Sequence, residues 1–291
     1  MIRKITSGIL LLCILSLWSC KNNDKQTATT ANDTTESIEG ENVTETIVAE
    51  PEKPALPAGV RALLESYPDQ IKDFKDGNLI FADGTTLLYD DGKEKDFEYM
   101  LDNSSPKDMF YVAYTVPETS PEYLADAGRS RSEDLFKKMY GSSSSEVNKR
   151  MEKVNWFGQS LPFTSINGGA EQLRKVAEEL AQHPEYKKYM KSAGTFYWRP
   201  VRGAKRLSAH SYGIAIDIGV DYSDYWLWKN PNAGETGKFG YTNRMPKGIV
   251  DIFQKYGFIW GGAWYHFDTM HFEYRPEILK YAEIMKNESK E

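Results

Sequence analysis

Two short stretches constrain this 291-residue chain more than anything else in it. One is Ser208-Ala209-His210-Ser211-Tyr212-Gly213-Ile214-Ala215-Ile216-Asp217; the other is Asp268-Thr269-Met270-His271-Phe272-Glu273. From Ile214 to Ile218 the residues alternate, with Ile214, Ile216 and Ile218 on one face and Ala215, Asp217 and Gly219 on the other. A strand read this way turns Asp217 away from the apolar face. The small neighbours Ala215 and Gly219 leave room beside it. In the second stretch His271 and Glu273 share a face and Phe272 and Tyr274 take the opposite one, while Asp268 comes off the turn before the strand. Gly213 marks a bend between His210 and its strand.

Three of the chain's four histidines, His210, His266 and His271, fall in or beside these stretches. A hydrolytic zinc site takes three nitrogen or oxygen ligands and leaves a fourth position for water, whose pKa then falls to about 7. His210, Asp217 and His271 fill that quota. A base within hydrogen-bond reach of the water is also needed, and Asp268, three residues from a ligand, is the candidate. Glu273 is the expected partner of a ligating imidazole. His266 competes with Asp268 as a polar group near the metal, and no motif places it.

The pattern Ser-x-His-x-x-Gly-x-Ala-x-Asp followed by Asp-x-x-His resembles the M15 family of zinc peptidases, which cut the peptide part of bacterial peptidoglycan, and especially its endopeptidase-like subgroup. The resemblance implies zinc ligation by His210, Asp217 and His271 and a general-base role for Asp268. It also maps the family arginine that precedes the first ligand onto Arg199, with Arg202, Lys205 and Arg206 as nearby rivals. Further similar stretches are Gly194 to Arg199, Asp224 to Trp228 and Trp260 to Trp264, with weaker ones at Ala127-Gly128-Arg129-Ser130-Arg131 and Leu135 to Gly141. Together they span most of residues 79–277. The tryptophans Trp226, Trp228, Trp260 and Trp264 suit either a core or the floor of a peptide cleft.

The N-terminus bears on location. Residues 1–20 have a basic start (Arg3, Lys4), an apolar run from Ile9 to Leu17, and Leu17-Trp18-Ser19-Cys20 at the end. That run is too short to span a bilayer, which takes about 20 apolar residues, and it reads as a secretory signal. Cys20 after a small residue resembles a bacterial lipobox, which implies cleavage before Cys20 and lipidation there. The expected location is therefore the bacterial envelope, at the outer membrane or periplasmic face, with the membrane as partner through that anchor. Residues 21–54 are rich in Thr, Asn, Glu and Ala with no aromatic residue, the composition of a disordered acidic tether. Its reach is roughly 30 Å. The only cysteines are Cys13 and Cys20, so residues 55–291 hold neither a disulfide nor a thiolate site, and any zinc there must use His and carboxylate.

Residues 55–291 suffice for one sizeable core, with an N-terminal extension over about 55–160. Leu79 to Phe81 and Thr85 to Tyr89 read as short strands with turns at Asp83-Gly84 and Asp91-Gly92. Leu173, Val176, Ala177 and Leu180 make one helical stripe; Ile249, Ile252, Phe253 and Tyr256 make another that stops at Gly257. This mixture argues for the α+β class, and the resemblance implies an M15/hedgehog-like peptidase fold: a small antiparallel sheet carrying a zinc site with helices packed on it. A net charge of -6 argues against a nucleic-acid partner. The expected activity is zinc-dependent hydrolysis of peptidoglycan stem peptides, with L-Ala-D-Glu endopeptidase favoured. Its rivals are a D-Ala-D-Ala carboxypeptidase and a non-catalytic wall-binding lipoprotein.

Overall fold

Asp76 and Gly77 both take positive φ, the conformation of a two-residue turn, and they fold Ile71–Lys75 (β1) back onto Asn78–Phe81 (β2), with Lys75 facing Asn78. This is the first of three antiparallel sheets in the computed structural model, which describes residues 55–290. The expected secretory signal, Cys20 and the expected tether at 21–54 lie outside the described residues. Thr86–Leu88 (β3) pairs with β2, and the helix Ala58–Ser66 (α1) precedes the sheet.

The next helices start where a side chain caps them. Asp96 accepts from the Tyr99 amide ahead of Phe97–Asp102 (α2), Ser132 from Leu135 ahead of Glu133–Tyr140 (α3), and Ser143 from Glu146 ahead of Ser144–Asn148 (α4). The serine run at Ser142 to Ser145 thus ends in a capped helix. A hairpin of Met151–Trp156 (β4) and Gln159–Thr164 (β5) follows, turning on Phe157 and Gly158, again both at positive φ. The Leu173 stripe lies in Gly169–Leu180 (α5), buried on that side.

The third sheet carries the chemistry. Its strands are Ser192–Gly194 (β6), Ala215–Ile218 (β7), Phe258–Trp260 (β8) and His271–Tyr274 (β9), in the order β6-β7-β9-β8. The helices Trp226–Lys229 (α6) and Lys247–Lys255 (α7) lie between β7 and β8 in sequence, and Pro276–Glu288 (α8) closes the chain and packs on α1. Register sets Ile216 opposite Phe272 and Phe272 opposite Trp260, which makes an apolar row, and Asp217 opposite His271, which makes a polar pair. Phe253 of α7 stacks on Phe272 at 3.9 Å and meets the rings of Phe258 and Trp156. The fold is α+β, small antiparallel sheets with helices against them, consistent with the fold expected above.

Phe253 backs the strand that presents His271 without touching the polar face. Phe253→Ala should cost about 3–5 kcal/mol in urea unfolding, the range for an emptied aromatic site. A loss below about 1 kcal/mol would mean that α7 does not support the sheet.

Candidate metal centre and cleft

His210 sits on a single helical turn, Ala209 to Tyr212, that begins at Ser208 and ends at Gly213 in the left-handed region. A β-carbon at Gly213 would meet the Met151 methyl at 2.9 Å, so glycine serves both the conformation and the close approach. This turn brings the imidazole over the polar face of β7. Its Nδ1 lies 3.1 Å from the Thr195 carbonyl oxygen, an acceptor for the ring N–H, and its Nε2 faces Asp217 Oδ2, 3.2 Å away. Across the sheet His271 places Nδ1 2.8 Å from Asp217 Oδ1 and Nε2 3.0 Å from Glu273 Oε1. His210, Asp217 and His271 thus form a group able to hold a metal ion, each offering one ligand atom, all within 4.8 Å of one another.

Buried charge tunes these groups. Burial acts to raise the Asp217 carboxyl, but His210 and His271 outweigh it and hold the group well below the usual carboxylate range. For His271 burial acts downward, and hydrogen bonds and charge from Asp217 and Glu273 outweigh it, lifting the ring to about 10. Glu273 is held down to about 2 because Arg131 and His271 overcome its burial.

Asp268 behaves in the opposite way. It comes off the turn before β9, as expected, tied by its amide to the Gly261 carbonyl and by a strand bridge to Tyr225. Burial pushes its carboxyl up to about 7, and Asp217 adds to this although both histidines pull the other way. Among the described residues its Oδ1 is buried with no hydrogen-bond partner. A carboxyl balanced near neutrality beside a ligand cluster can take and return a proton at working pH.

These groups share a cleft of about 540 Å³. Arg199, Arg202, Arg206, Trp226, Trp228 and Trp264 all line it. Arg199 is exposed at the rim, where its Nη1 donates to the Pro200 carbonyl. Of its rivals, Arg206 is committed to Asp102 at 2.7 Å and to Glu235, and Lys205 does not line the cleft; Arg202 is exposed like Arg199. Trp260 and Trp264 both belong to the core, Trp264 also packing on the His271 ring at 5.6 Å, whereas Trp228 is 53% exposed. His266 is outside the ligand group. It is buried with Nδ1 2.5 Å from Asp126 and Nε2 2.8 Å from the Glu235 carbonyl, and stacks on Phe97. Sequence reasoning had assigned no role to Thr195, Asp126 or Arg131, although Arg131 lies in a stretch whose similarity was visible.

Residues 202–274 match a family model of the M15 peptidases described as D-alanyl-D-alanine carboxypeptidase. This is an M15-type peptidase region. The M15 stretch contains His210, Asp217, Asp268, His271 and Glu273, and it begins after Arg199 and well after Arg131. No curated protein and no solved structure matches the chain. The M15 match supports, at a coarse level, a peptidase acting on peptidoglycan.

The raised Asp268 carboxyl has a thermodynamic signature in metal-free protein. The folded state keeps the Asp268 proton up to about pH 7, while the unfolded chain releases it near the ordinary carboxyl value of 3.8. Between those values the folded state binds more protons, so stability falls as pH rises. Asp268→Asn cannot ionise and should melt a few degrees above the wild type at about pH 8, the gap closing by about pH 4. An equal difference in Tm at both pH values would show that this carboxyl is not raised.

Proposed function

We propose that the chain is a zinc-dependent peptidase that hydrolyses peptidoglycan stem peptides, with the bond between L-Ala and D-Glu as the favoured target. The observation that carries this reading is the juxtaposition of the His210–Asp217–His271 group with a neutral-range carboxyl, Asp268, in one cleft. The donor set suits zinc. Two imidazole nitrogens and a carboxylate oxygen are donors that zinc takes in hydrolytic sites, and His210, Asp217 and His271 bring one such atom each within 4.8 Å of the others. Both rings have their remaining nitrogen tied to an acceptor, Thr195 or Glu273, which is the usual support of a ligating histidine. Bound there, zinc would supply Lewis acidity, polarising a carbonyl and bringing water into the ionising range near pH 7.

The chain's own residues do the rest. Asp268, poised near neutrality, takes the proton of the attacking water and returns it to the leaving amine. Arg199 and Arg202 at the rim offer cations where negative charge develops on the scissile oxygen, with Arg199 first by its place before His210. Trp264 fixes the His271 ring, and the exposed Trp228 gives the substrate an apolar surface. The cleft volume lies within the range for sites that enclose a ligand of several groups. A second reading, removal of the terminal D-Ala, is favoured by the description of the matching family model. The proposal includes lipidation at Cys20 and attachment to the bacterial envelope, on the strength of residues 1–20.

Purified muropeptides incubated with the chain, analysed by mass spectrometry with and without chelator, should show chelator-sensitive cleavage. Release of the stem beyond L-Ala identifies the endopeptidase, and loss of one alanine the carboxypeptidase; intact muropeptides beside zinc-loaded protein would refute both. Asp268→Ala should keep its zinc and lose turnover by about 10²-fold or more, the scale of a general-base contribution. His210→Ala should lose the metal itself in an elemental assay, and zinc retained at wild-type affinity would remove His210 from the ligand set.

A further inference from the structure

We infer that Arg131, which lies outside the matched M15 stretch, is a positioning residue for the metal centre: it fixes Glu273 so that His271 presents Nδ1 to the ion. The inference rests on the zinc reading above and extends it to a residue with no assigned role.

Glu273 Oε1 accepts from two groups at once, His271 Nε2 at 3.0 Å and Arg131 Nη1 at 3.0 Å. Where Arg131 holds that oxygen, the imidazole must follow, because its Nε2–H has no other acceptor among the described residues. The ring is then turned so that Nδ1 faces Asp217. Arg275 grips the other carboxylate oxygen at 3.1 Å, but it is itself anchored behind the strand through Glu277. Arg131 is therefore the cation that decides where Oε1 sits.

Arg131 is in turn fixed by a turn of the upstream chain. Its Nη1 also donates to the Gly128 carbonyl at 3.3 Å, and Arg275 donates to the same oxygen at 2.9 Å. Gly128 has φ +95, and a β-carbon there would lie 2.4 Å from Ile259 Cδ1, so only glycine lets the turn pack so close to β8. Arg131 is buried in the molecule and lines the cleft on one side. It reaches no ligand-group atom itself and acts only through Glu273.

A cation near a metal site has an opposite electrostatic effect, and this makes the inference testable by sign. Simple repulsion predicts that removing a buried guanidinium strengthens zinc binding; positioning predicts that it weakens. Zinc affinity of the full chain, measured by competition with a chromophoric chelator, should fall about 10–100-fold in Arg131→Met, the usual cost of losing a partner of a ligating histidine. Arg131→Lys, which keeps the charge and a donor group without the planar guanidinium fork, should recover part of the loss. Arg206→Met, which removes an equally buried arginine of the same cleft with no bond to Glu273, should bind zinc as well as the wild type or better. Unchanged or tighter binding by Arg131→Met, or an equal loss in Arg206→Met, would overturn the inference while leaving the zinc reading intact. Absence of zinc binding by the wild type would overturn both. Should Arg131→Met fail to fold, the Lys variant decides: affinity at the wild-type level or above refutes positioning, because its single ammonium cannot hold the guanidinium geometry.

Discussion

The buried carboxylate of Glu273 is the interaction on which the rest of the centre depends. Alone in an interior, such a charge would carry a desolvation cost of several kcal/mol. Here Arg131 and Arg275 flank it and His271 donates to it, so it stays ionised and in one place. The pattern runs on along the chain, with Arg275 bound to Glu277 at the start of α8, and Glu277 bound to Tyr67 just after α1 at 2.6 Å. A metal-ligand strand is thereby tied to the first and last helices of the described chain. Removing one member of such a column would leave a buried charge with fewer partners, at a cost in stability.

The same interior sets apart two aspartates that differ little in kind. Asp217 lies between two imidazoles and remains a carboxylate; Asp268 lies on the turn beyond them, buried and short of a partner, and is raised to about 7. One environment suits holding a cation and the other suits moving a proton. A second buried network, Asp126 with His266 and Arg129, with Glu235 pairing to Arg129, is built alongside without joining the ligand group. It ties His266 at the cleft to Asp126 and to the Glu235 carbonyl, while Arg129 pairs with the Glu235 carboxylate.

Legibility followed periodicity. The alternation from Ile214 to Ile218 placed Asp217 on the polar face, and the stripes of α5 and α7 read directly because their buried sides are purely apolar. The ends of the described chain did not. α8 buries Glu277 along with Ile278 and Ile284, which blurs its apolar face, and the charge becomes acceptable there only through Arg275 and Tyr67, remote or invisible in a sequence pattern. α1 is nine residues long with no side-chain cap. The β4–β5 hairpin turns on Phe157-Gly158, and phenylalanine at positive φ gives none of the usual turn signal.

By itself the sequence determined which residues could ligate and on which strand face each would lie, because side chains alternate with a period of two and the ligand types occur at close spacing. Only the tertiary structure decided what supports them. Thr195 for His210, and Arg131 acting through Glu273 for His271, come from segments up to 142 residues away along the chain. Hydrogen bonds of that kind depend on how separate elements pack, and burial, which sets the two aspartates apart, is a property of the whole core rather than of any stretch within it.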